Sequence, residues 1–296
     1  MGLSRLLLFL LMLWALQWGS SQANNTLRIN GSDLLKEPLN SLLRAKAEAM
    51  KDALDLAFDG TYFALQQMEL EEIDIAFAAV PEGEHLPENR EVIPLAYLTS
   101  ILVVHRDNPL KSLSLDLIKG LYSSQAKVDI HYWHELGFTN SWQSRGVVTH
   151  VVDTPEVLHL QIFRAMALEG GDLKVKVKYW QQASSLLDHL KQHTSSIGVL
   201  PMHPLVQEQP GLRVLPIASD VNGIPFPPDP QKIHSGDYPI RLAFFVVYQA
   251  DHKKALRPYL GLLLEDATAK GLSNHGFVPV PSLTREQERF KLDWAQ

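Results

Sequence analysis

Leu27-Arg28-Ile29-Asn30-Gly31-Ser32-Asp33-Leu34 is an extended run that breaks at a glycine and opens a helical pattern. Leu34, Leu35, Leu39, Leu42, Leu43 and Ala47 follow at helical spacing, with Glu37, Asn40, Arg44 and Lys46 between them, which predicts a first helix to about Met50. A strand that feeds a glycine turn and a helix start leaves free backbone N–H groups at the positive end of a helix dipole, where anions bind. The device recurs at residues 55–58, which break at Asp59-Gly60 before Thr61 opens a helix. It recurs again where residues 147–152 end in Asp153-Thr154-Pro155. There Thr154 is a candidate N-cap and Pro155 a candidate first residue of a helix from Glu156 to about Leu168. Such repetition suggests a binding protein.

Outward from these junctions the chain keeps alternating. Residues 73–80 read as a buried strand stopped by Pro81, and residues 92–105 as a long β-rich segment able to cross between two lobes. A short helix over 113–121, a strand near 175–179, a helix through Leu186, Leu187 and Leu190, and a strand at 197–200 come next. Residues 212–217 could be a return crossing, 222–230 is a Pro-rich loop, and 241–248 is a continuous apolar strand of the kind covered on both faces. A last long helix is expected over about 253–270. Repeated β-α units define an α/β fold.

At the amino end, Arg5, the apolar residues 6–18 and the small-x-small Ser21-Gln22-Ala23 have the form of a cleavable signal peptide over 1–23, and an uncleaved anchor is the alternative. The 296 residues contain no cysteine, which removes disulfides, thiolate metal sites, a cysteine nucleophile and a lipid-modified cysteine tether. A soluble, monomeric periplasmic protein is expected. Net charge is −6 with no basic block, so no electrostatic footprint for nucleic acid is present. No Gly-x-Ser-x-Gly elbow, His-Glu-x-x-His or phosphate-loop signature is found, so neither an enzyme nor a cofactor is expected. His131-Tyr132-Trp133-His134-Glu135 offers two imidazoles and a carboxylate, but no further metal ligand is evident, and metal is not expected there. Asn30-Gly31-Ser32 matches a glycosylation sequon, idle in a bacterial periplasm. Tyr62, Phe63, Trp142 and Trp180 could line a cleft, although core packing is the favoured reading.

The order of several segments resembles the phosphate-binding proteins of bacterial phosphate ABC transporters, within the periplasmic solute-binding superfamily. The segments are residues 29–33, 73–77, 104–109 with 113–115, 133–137, 196–199, 238–241 and 276–281. The resemblance implies a two-lobed, type II binding-protein fold crossed twice by the chain, with residues 24–96 and 218–296 in one lobe and 97–217 in the other. It implies a small anion, phosphate foremost, held in the interlobe cleft and passed to a permease in the inner membrane. A sensor or interaction module of the envelope that has lost its solute is the alternative.

Carried over by position, the ligand contacts are Gly31, Ser32 and Asp33, then Gly60 and Thr61, and from the opposite lobe His150, Asp153 and Thr154. Ser32 and Asp33 are equally at home as plain helix caps, and for Gly60-Thr61 and Asp153-Thr154-Pro155 the plain turn or cap is the favoured reading of the residues alone. The family's usual arginine and Gly-Ser-Gly-Thr-like loop are replaced here by His150-Val151-Val152-Asp153-Thr154-Pro155. Pro155 lacks an N–H, and Asp153 would repel an anion. Ala79-Val80-Pro81 stands where the family places the aspartate that accepts the proton of hydrogen phosphate.

Overall fold

The computed structural model describes residues 26–81, 84–154, 158–202, 206 and 209–294. The predicted signal peptide, Pro155 and Glu156 lie outside the described residues. The Leu27–Gly31 run is the middle strand of a three-stranded parallel unit. Strand β1 (Leu27–Gly31) lies between β2 (Leu54–Leu56) and β3 (Ile75–Val80), parallel to both. Helix α1 (Lys36–Met50), entered through one 3-10 turn at Asp33–Leu35, buries Leu39, Leu43 and Ala47 on one stripe. Helix α2 (Thr61–Glu69) follows Gly60, whose φ of 110° only glycine adopts readily.

The long strand β4 (Glu91–His105) joins two halves of one sheet. A two-residue strand β5 (Leu113–Ser114) and helix α3 (Leu115–Tyr122) lead into the second half. That half holds β6 (Val148–Val152), α4 (His159–Ala167), β7 (Lys178–Trp180), α5 (Ala183–Gln192) and β8 (Ser196–Pro201). Strands β9 (Leu212–Val214) and β10 (Ile217–Ala218) bring the chain back. Next come α6 (Pro230–Ser235), β11 (Arg241–Tyr248), α7 (Lys253–Leu263), α8 (Asp266–Asn274), β12 (Val278–Pro279) and α9 (Ser282–Trp294). The strand order is β2-β1-β3-β11-β4-β8-β6-β7. Among the described residues no helix is long and apolar enough to cross a membrane.

The α/β architecture matches the alternation of the sequence, and four details depart from it. The expected single helix over 253–270 is two, because Leu264 and Glu265 close the first with N–H bonds to the Gly261 and Leu262 carbonyls and Glu265 is extended. Helix α4 begins at His159 with Leu158 as its N-cap, so Thr154 does not cap it. The Pro-rich loop runs into α6, started by the Asp229 side chain accepting from Lys232 N–H (2.9 Å) and stopped at Gly236 with φ 85°. The proposed return strand over 212–217 is split, β9 pairing with β4 and β10 with β5.

Candidate functional site

Pairing registers fix where the strand ends meet. Strands β1, β2 and β3 run in the same direction, and Val80 at the end of β3 pairs with Ala243, which pairs with Tyr97. Strands β6 and β8 run the opposite way along β4: Val151 pairs with Val199, Val199 with Leu102, and Pro201 at the end of β8 with Ser100. Asp153 therefore falls level with Ser100. The carboxyl ends of both parallel units converge on the centre of β4, separated along it by about 10 Å at ~3.3 Å per residue. Carboxyl ends of parallel strands are where open α/β sheets place their ligands.

On the first side, the predicted contacts are brought together. Gly31 accepts from Gly60 N–H at its carbonyl (2.9 Å), and Ser32 N–H donates to the Phe77 carbonyl (2.8 Å). Ala79 N–H donates to Thr61 Oγ1 (2.8 Å), which leaves the Thr61 hydroxyl hydrogen available. Ser32 is only 3 % exposed, and among the described residues its hydroxyl neither caps the helix nor takes another partner. Among the same residues the N–H groups of Asp33, Leu34, Thr61, Tyr62 and Phe63 have no partner, as expected for a helix's first turn. Gly31 serves packing: a Cβ there would lie 2.4 Å from Phe77 Cβ and 2.7 Å from the Phe77 carbonyl oxygen.

Asn30 holds this side rigid. Its Oδ1 accepts from Gly31 N–H (2.8 Å) and Asp59 N–H (3.0 Å), while its Nδ2 donates to Asp59 Oδ2 (3.1 Å) and Gln67 Oε1 (2.7 Å). Buried and fully engaged, it is no glycan acceptor. Its place in the quoted run was legible, but its role needs β2 and α2 beside it.

On the second side, Asp153 N–H donates to the Trp180 carbonyl (2.8 Å), and His159 Nε2 meets the Val152 carbonyl at 2.8 Å, tying α4 to the end of β6. His150 does not reach this edge. It is fully buried within the sheet, where Nδ1 accepts from Trp180 Nε1–H (3.0 Å) and Nε2 meets Ser196 Oγ (3.1 Å). Burial, aided by the nearby His189, Lys178 and His193 charges, pushes its pKa down to about 3. A neutral ring that accepts at Nδ1 must carry its proton on Nε2, so Ser196 Oγ is the acceptor. His150 is a structural link to Trp180, and the sequence could not show that both its nitrogens are spent.

Arg241 is a residue that sequence reasoning left unassigned. It pairs with Thr99 in the centre of the junction, its Nη1 donating to the Ile233 (2.8 Å) and His234 (3.0 Å) carbonyls and its guanidinium lying 5.4 Å from the Tyr97 ring centre. Tyr62 (86 % exposed) and Phe63 (46 %) stand in solvent at the start of α2, against the favoured expectation of core packing. The imidazoles of the 131–135 segment turn to separate partners, His131 to Asp129 and Lys176, His134 to the Gln143 carbonyl. Among the described residues no group of acidic or imidazole side chains is arranged to hold a metal ion.

No protein-family model matches the chain. Its sequence is 22 % identical over 203 residues to the phosphate-binding protein PstS of Pseudomonas aeruginosa, a match that takes in 66 % of this chain and 62 % of that relative's length. Among solved structures, a possible phosphate-binding protein from Planctomyces limnophilus superposes with a TM-score of 0.67 at 17 % identity, over 91 % of this chain and 98 % of the other. PstS from Borrelia burgdorferi gives 0.69 at 13 % identity over 86 % and 99 %. The chain therefore has the periplasmic-binding-protein-like fold. The resemblance to phosphate-binding proteins that its segments carry is found again, at divergent identity, in both comparisons.

Proposed function

We propose that the chain is an exported solute-binding protein that holds a small oxyanion, phosphate foremost, at the centre of β4 and delivers it to an ABC permease in the inner membrane. The observation that carries this reading is the convergence of strand ends on residues 97–100, with unpaired N–H groups at Asp33–Leu34 and Thr61–Phe63 on one side. The ligand set is Gly31, Ser32, Asp33, Gly60 and Thr61 from a lobe of residues 24–96 and 218–296, and Asp153 and Thr154 from a lobe of 97–217. The protein acts in the periplasm as a monomer, without chemistry on its ligand. Similarity to the PstS protein supports the ligand class.

Phosphate at a hundredfold excess over Kd should raise the melting temperature by about 5–10 °C, since ligand binding stabilises the folded form by mass action. Ser32→Ala should weaken phosphate binding by about 1–3 kcal/mol without lowering the melting temperature of the unliganded protein, because that hydroxyl caps nothing. An unliganded melting temperature that drops while affinity holds would return Ser32 to a purely structural role. The sensor or interaction-module alternative draws on Asp33 and Asp153, two carboxylates at the mouth. It predicts no thermal response to phosphate, sulfate or carboxylates.

A further inference from the structure

Strand β11 sits between β3 and β4, a position where both faces of a sheet are ordinarily covered. Helix α2 does cover its far end, packing Ala64 and Met68 over Val247. Towards the junction the same face is only partly covered: Arg241, Ala243 and Phe245 remain half-buried. Over them lies a cavity of about 240 Å³, walled by Val80, Pro81 and Leu86, with Glu84 and His85 exposed at its rim. That volume is somewhat below the ~300 Å³ at which sites for drug-sized ligands begin, and suits a single ring or a short alkyl chain. Register orients the cavity: Arg241 is level with Thr99 at the junction, whereas Phe245 is level with Pro94, away from it. The cationic end thus faces the converging strand ends, and the apolar end leads off beneath them.

We infer that this cavity receives the apolar body of the bound oxyanion, so that the ligand is an organic one, a phosphate monoester or carboxylate with a small hydrocarbon group, its charged head beside Arg241. The inference rests on the anion-binding reading of the junction. Charge complementarity selects this occupant: among the described residues Arg241 has no carboxylate partner, only the neutral Ile233 and His234 carbonyls and the Tyr97 ring, so an anionic head balances its charge where a neutral hydrocarbon does not, and a bare inorganic anion would leave the apolar wall wet. Burying two or three methylene equivalents favours the organic anion by about tenfold or more.

Titration calorimetry with phenyl phosphate and with inorganic phosphate tests the inference. The expected result is about tenfold tighter binding of phenyl phosphate, with the preference lost in Ala243→Leu, whose added carbons fill the cavity. Leu86→Asp, on the loop wall and outside the sheet, gives the same test should Ala243→Leu fail to fold. Equal affinities, or a preference that survives the filled cavity, overturn the inference and leave the anion site standing. Absence of binding by either compound overturns the anion site and this inference together.

Discussion

His150 serves packing where its sequence context suggested a ligand contact, and Gly31 carries a packing demand of its own beside its place in the proposed ligand set. The folded protein keeps His150 neutral down to about pH 3, whereas in the unfolded chain it titrates near its ordinary value of 6.5. Between these values the unfolded state binds the extra proton, so this group makes stability fall as pH drops from about 6.5 towards 3. Replacing it by Phe should cost about 1–3 kcal/mol at neutral pH through the orphaned Trp180 N–H, and should flatten that acid slope in denaturant titrations at several pH values. An unchanged slope would assign the pH dependence elsewhere. Gly31→Ala forces a methyl into the Phe77 backbone, and a destabilisation of about 1–3 kcal/mol is expected by urea titration. Full native stability in this variant would mean that β1 and β3 sit farther apart than described. Gly31 was legible as the break at the end of the extended run, but its demand for no side chain was not, because Phe77, which makes it, arrives from a distant strand.

Long elements were legible because their period or composition persists over many residues. The apolar run at 241–248 and the β-branched stretch inside 92–105 announced β11 and β4, and the stripe through Leu39, Leu43 and Ala47 announced α1. Helix α6, six residues long, is too short for periodicity, although its Asp229-Pro230 start and Gly236 stop were in plain view. The division of the last helical region depends on two backbone conformations, at Leu264 and Glu265, that no side-chain pattern encodes. Strand β4 is anchored at its centre by Tyr238, whose buried hydroxyl donates to the Ser100 carbonyl (2.9 Å). Tyr238→Phe should lower stability by about 1–3 kcal/mol, read by chemical denaturation. A neutral result would show that this carbonyl is satisfied by solvent at the junction.

At the scale of the molecule, two parallel units point at one another across a shared strand, and their meeting point is where we propose that a single small ligand is held. The three strand-to-helix junctions, two in the first unit and one in the second, were readable, but their convergence was not, because it is set by pairings between strands far apart in sequence, such as Val80 with Ala243 and Pro201 with Ser100. Hinge closure about such a shared strand is a known response of two-lobed proteins to a solute. A phosphate titration followed by amide NMR on selectively labelled protein addresses the convergence most directly. Amides of residues 31–33 and 60–61, and those of 153–154, should shift together with one common saturation curve. Shifts confined to one group, or two groups saturating at different phosphate concentrations, would contradict a single anion held between the two sides.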